Sequence, residues 1–157
     1  MSDEFEFRDV WRKNDGKAEA DIVALWQRLN ILPAGVNPLA RAKELCVAAY
    51  DGDRLAAVTT ATIDTLQVVR NRMVFLRALV APEYRAKKVV VPLTLETHEV
   101  LSRYALAHPD QRLGGTVAIV TSNPGIYKPI GSAHMVLIGY TARNEPVTVR
   151  WFDHFRL

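Results

Sequence analysis

Apolar and polar residues alternate along Phe5-Glu6-Phe7-Arg8-Asp9-Val10-Trp11, which is the two-residue period of a half-buried strand. Asn14-Asp15-Gly16 breaks that run. From Lys17 to Leu29 the period lengthens and places Ile22, Leu25, Trp26 and Leu29 on one helical face. Asn30 suits the left-handed position that closes such a helix. Asn37-Pro38 predicts a second, short helix to about Glu44, with Asn as cap and Pro in the first turn. Two β-rich runs, Leu45 to Tyr50 and Arg54 to Ile63, flank Asp51-Gly52-Asp53 and predict a hairpin. A polar turn near Arg70-Asn71-Arg72 leads into a strand from Met73 to Val80.

The pattern next predicts a long amphipathic helix from about Lys88 to Ala107, with Val90, Leu93, Thr97, Val100, Leu101 and Tyr104 facing the sheet. Pro92 fits only in the first turn, where its missing N–H has no intrahelical partner to lose, so Arg85 to Lys87 stay in a loop. His108-Pro109-Asp110 ends the helix. Thr116 to Thr121 reads as a strand, and Ser122-Asn123-Pro124-Gly125 as the start of a short turn or helix ending near Gly131. Met135 to Thr141 and Val147 to Phe155 flank Asn144-Glu145-Pro146 as a last hairpin. This order predicts an α/β (α+β) fold: a mixed, mostly antiparallel sheet of about seven strands flanked by about four helices.

Composition changes this picture little. A chain of 157 residues with 49% hydrophobic and 24% charged residues is long and apolar enough for a single domain over 1–157 with a real core. A net charge of +3 is too small to argue for nucleic acid, even with Arg70, Arg72, Arg77, Arg85, Lys87 and Lys88 in loops and strands. The single cysteine, Cys46, rules out an internal disulfide, sits in an apolar run, and fits a reducing, cytoplasmic setting. Met1 to Val10 is acidic and lacks the apolar core of a secretory signal, and no stretch has the length of a membrane span. His98-Glu99 begins like a zinc helix motif without its second histidine, and no ligand spacing links the four histidines, so no metal is expected.

The candidate chemistry lies in Leu79-Val80-Ala81-Pro82-Glu83-Tyr84-Arg85-Ala86-Lys87-Lys88-Val89-Val90. An apolar strand ends at a Pro turn, a basic loop follows, and a long helix begins. Free amides at a helix start and the helix dipole both favour an anion, and three cations stand beside them. A phosphate-bearing ligand follows.

This segment resembles the cofactor-binding segment of the GCN5-related N-acetyltransferases (the GNAT superfamily), in which a valine-proline-x-tyrosine-arginine run leads into an acetyl-coenzyme A pyrophosphate loop. Ile126-Tyr127-Lys128-Pro129-Ile130-Gly131-Ser132 is similar to a second segment of that family, between the fifth and sixth strands. The resemblance covers nearly the whole chain. It implies an N-acetyltransferase that moves an acetyl group from acetyl-CoA to a primary amine of a small molecule, amino acid or protein. It implies that Arg85, Ala86, Lys87, Lys88, Val89 and Val90 hold the pyrophosphate and that Leu79 and Val80 pair by backbone with the pantetheine arm. Asn123 is a further contact to that arm, and Tyr127 is the acid that protonates the leaving thiolate. The general base stays open between water, a residue of 30–37 and His134.

The sequence departs from the family at Lys88 and Val90, where small residues are usual. Glycine lets a backbone approach a pyrophosphate closely, and β-branched residues resist positive φ. Two readings follow: the lysines compensate by charge, or the domain is a catalytically impaired binding module. Apolar final strands add a homodimer to the expectations.

Overall fold

In the computed structural model, residues 4–119 and 132–156 are described. The elements follow the expected order. Strand β1 is Glu6–Asp9, helix α1 Gly16–Leu29, helix α2 Pro38–Ala42, strand β2 Leu45–Asp51, strand β3 Arg54–Leu66 and strand β4 Asn71–Val80. Helix α3 is Val90–Ala107, strand β5 Gly115–Ile119, strand β6 Val136–Tyr140 and strand β7 Pro146–Trp151. They form one seven-stranded sheet in the order β1-β2-β3-β4-β5-β7-β6. The β4–β5 pair is parallel, and β1–β2, β2–β3, β5–β7 and β6–β7 are antiparallel. Three α-helices lie among the described residues; the fourth, expected before Gly131, falls outside them. No helix among the described residues is long and apolar enough to cross a membrane.

Local chemistry explains the boundaries. Asp15 accepts a hydrogen bond from the Ala18 amide at 3.0 Å, and Asn30 closes α1 at φ 51° and ψ 47°. Asn37 caps α2 by accepting from the amides of Leu39 and Ala40. Gly52, at φ 60°, turns the β2–β3 hairpin, a dihedral that L side chains seldom adopt.

The chain divides into two compact units. The first is Met1–Thr60 with Ala78–Val100. Its core joins Ile22, Leu25 and Trp26 of α1 to Ala48, Tyr50, Ala56 and Val58 of the β2–β3 hairpin and to Ala81 and Tyr84. Removing Ile22, which is fully buried, to alanine costs about 2–5 kcal/mol. The second unit is Ala61–Arg77 with Leu101–Leu157. Its core is Met73, Val117, Val147 and Val149, with Phe75 and Ile138 packed against them.

Several boundaries differ from those expected. Strand β7 stops at Trp151 rather than Phe155, because the Phe152 amide makes the last cross-link, to the Gly114 carbonyl at 2.9 Å, and Asp153-His154 then turns. Strands β3 and β4 each run further into the connecting turn, which Arg70 closes at φ 53°.

Candidate functional site

The candidate site lies in the first unit, where β4 gives way to α3. The Ala81 amide donates to the Ala56 carbonyl of β3 at 2.8 Å. Backbone groups alternate sides along an extended chain, so those of Val80 point away from β3 and those of Leu79 toward it. Of the two backbone contacts expected from sequence, Val80 therefore turns its backbone groups away from β3 and Leu79 turns its own toward it.

Pro82–Lys87 then forms a 3-10 turn. Its first half is fastened. The Tyr84 ring is buried, meets Phe5 edge-on at 5.9 Å, and donates its hydroxyl to Asp51 at 2.8 Å. Burial, and then the bond to Asp51, push the Tyr84 phenol above its ordinary pKa. Glu83 is not simply solvated, as its place in a turn suggests. It forms a two-pronged ion pair with Arg28 of α1, one prong being Nη2 to Oε2 at 3.3 Å. That hydrogen bond holds the Glu83 carboxyl down at about 2, so it is a poor proton acceptor.

The second half is open. Arg85, Ala86, Lys87 and Lys88 are all exposed. Lys88 lies in the left-handed region at φ 56° and ψ 40°. A right-handed turn followed by a left-handed residue is the dihedral sequence of an anion-binding nest, in which successive amides converge. Helix α3 starts two residues later. Leu93 makes the first helical bond, to the Val89 carbonyl at 3.0 Å, and Pro92 has no donor to lose. The amides of Val90 and Val91 have no partner inside the helix, by helix geometry.

Two sequence expectations are corrected here. The positive φ falls on Lys88, not on Val90, which is the first helical residue and carries no backbone conflict. The Val90 side chain is also exposed rather than turned to the sheet, and Val89 is buried in its place. With its side chain buried, Val89 leaves only its backbone to the loop.

A buried hydroxyl chain sets the height of α3 on the sheet. The Val47 amide donates to Thr59 Oγ1 at 3.2 Å, Thr59 and Thr97 share a hydrogen bond of 2.8 Å, and Thr97 donates to the Leu93 carbonyl at 2.7 Å. With that last proton committed, the Thr59 hydroxyl is the donor to Thr97. Sequence reading missed this pair. Its signal was Thr97, a polar residue in the apolar stripe of a helix. Tyr127 and Asn123 lie outside the described residues. His134 is exposed at φ 60°.

No protein-family profile matches the sequence, and no curated protein sequence matches it. Solved structures do. An acetyltransferase of the GNAT family from Streptococcus pneumoniae superimposes with a TM-score of 0.60 at 15% identity, over 94% of this chain and 99% of its own. The chain has the GNAT fold. A structure described as a bacterial toxin also matches the GNAT fold of this chain at a TM-score of 0.60 and 15% identity, over 96% of this chain and 92% of its own. The PaiA N-acetyltransferase from Thermoplasma acidophilum, solved in complex with coenzyme A, matches at 0.54 and 13% identity, over 97% of this chain and all of its own. At such identities the GNAT fold is what these likenesses share.

Proposed function

We propose that residues 1–157 form one acetyltransferase domain that uses acetyl-CoA to acetylate a primary amine. The observation that carries this reading is the open anion nest at Lys87-Lys88-Val89, followed by the start of α3, in a chain with the GNAT fold. Arg85, Lys87 and Lys88 add charge where a pyrophosphate would rest, and the amides of Val89, Val90 and Val91 add donors. The outward backbone of Val80 supports pairing with the pantetheine arm as an added strand. Coenzyme A in the Thermoplasma protein supports the same ligand here.

In the reaction, the neutral amine nitrogen attacks the thioester carbonyl carbon and a tetrahedral intermediate forms. The C–S bond then breaks, the thiolate takes a proton from the Tyr127 hydroxyl, and the amine gives its proton to water or a nearby base. A phenol is protonated at neutral pH and is able to make that transfer. Asn123 is assigned to the pantetheine arm. The acceptor class is a small-molecule, amino-acid or protein amine. The buried thiol of Cys46 supports a reducing setting such as the cytoplasm, and exposed Val136, Tyr140 and Trp151 on the terminal strands support a homodimer.

Calorimetric titration with acetyl-CoA, coenzyme A and ATP, followed by an amine screen for released thiol, tests the reading. Binding of both coenzyme forms but not of ATP is expected. Tyr127→Phe is expected to lower turnover and spare coenzyme affinity. No binding at millimolar coenzyme would overturn the reading in favour of a binding module whose loop is obstructed by the exposed methyls of Val90.

A further inference from the structure

The second unit carries a cleft that the acetyl-transfer reading leaves unused. Its volume is about 540 Å³, within the range of small-molecule sites. The floor is apolar: Leu106 at the end of α3, Leu113 and Phe155. Leu106 is 59% exposed there, a cost in water that a ligand would remove. The rim is basic: Arg112, Arg156 and the imidazole of His154. None of the lining residues carries a carboxylate.

The walls are fixed by hydrogen bonds and a ring stack. Arg112 closes the 3-10 turn Pro109–Gln111 at φ 53°, its amide donating to the Pro109 carbonyl at 3.2 Å. The Asn71 side-chain amide donates to the carbonyls of Arg72 at 2.8 Å and Arg112 at 3.3 Å. On the other wall, Phe155 donates its amide to the Phe152 carbonyl at 3.0 Å and stacks on Trp151 at 5.5 Å. Arg156 Nη1 donates to the carbonyls of Asp153 and Phe155, both at 2.9 Å, which holds that guanidinium at the rim. Beneath them Gly114 has no room for a Cβ, which would lie 2.7 Å from Asn71 Nδ2.

We infer that this cleft binds a small organic monocarboxylate with a flat apolar body. The floor covers the body, and the two guanidiniums, which cannot lose their charge, take the carboxylate. An amine would meet two like charges, and a bare phosphate would leave the floor wet.

The test is an amide-shift titration of the ¹⁵N-labelled full chain with 2-naphthoate, 2-naphthamide and inorganic phosphate. It needs no coenzyme, so its outcome is separable from that of the acetyl-transfer reading. Saturable shifts at Leu106, Arg112, Leu113 and residues 154–156 are expected with naphthoate. Naphthamide and phosphate should each bind about tenfold more weakly or worse, as should naphthoate to the Arg112→Gln/Arg156→Gln variant. Equal binding of acid and amide, shifts centred on Arg85 to Val91, full affinity in a folded double variant, or shifts that never saturate would each overturn the proposal. If the double variant does not fold, the comparison of acid with amide on the natural chain still decides.

Discussion

Pro82 to Tyr84 is fastened by a buried ring, a phenol–carboxylate bond and an ion pair to α1, whereas Arg85 to Lys88, next in the chain, is exposed to solvent. The first stretch spends its side chains on neighbours and keeps only its backbone path. The second offers side-chain charge and converging amides outward. The contrast teaches how one short turn is divided: buried and paired side chains fix its path, and the exposed side chains that follow leave charge at the surface where the proposed coenzyme would rest.

Substitutions that exchange these roles test the division. The largest effect is expected from Tyr84→Ala, which removes a buried ring and strands Asp51; it should cost about 3–5 kcal/mol in urea unfolding. Joint replacement of Arg85, Lys87 and Lys88 by alanine should do the reverse. The urea midpoint should stay within about 0.5 kcal/mol of the natural chain, and acetyl-CoA affinity in calorimetry should fall about tenfold to a hundredfold. A marked loss of stability in that variant would break the comparison.

Lys88 sits at the seam between the two stretches. Valine there must hold a β-branched side chain at φ 56°, so Lys88→Val should destabilise by about 1–2 kcal/mol and Lys88→Gly should not. Both lose the same charge, so thermal unfolding of the pair isolates the backbone from the electrostatics.

The smallest effect is expected at Glu83. Its folded carboxyl titrates near 2, below the ordinary value of 4.5, because Arg28 stabilises the anion. The stabilisation it brings is present above the ordinary value and is lost as pH falls toward 2. Unfolding midpoints of the natural chain and Glu83→Gln should therefore differ slightly at pH 7 and converge between about pH 4.5 and 2.

Much of this was legible in the chain. The break at Asn14-Asp15-Gly16, the cap Asn37, the αL residue Asn30 and the Gly52 turn act through local backbone chemistry, so α1, α2 and the β2–β3 hairpin follow from neighbours in sequence. Pro92 placed the start of α3 to within two residues. Side-chain direction at that start was not legible. Cβ vectors tilt toward a helix N-terminus, so Val90, on the correct face by periodicity, points past the start of the helix into solvent. The pairs Tyr84–Asp51, Glu83–Arg28 and Thr59–Thr97 were equally invisible, since each joins residues more than thirty positions apart. The aromatic tail misled for a related reason: Phe152 and Phe155 look like strand residues but stack on His154 and Trp151 instead.

Cys46 is the extra residue of a bulge in β2, fully buried, and burial raises its thiol well above the ordinary pKa. A disulfide reagent that detects free coenzyme A would therefore find the folded protein silent. The same reagent would react as soon as β2 opens, so the protein carries its own clock for local unfolding, read in the same cuvette as its chemistry.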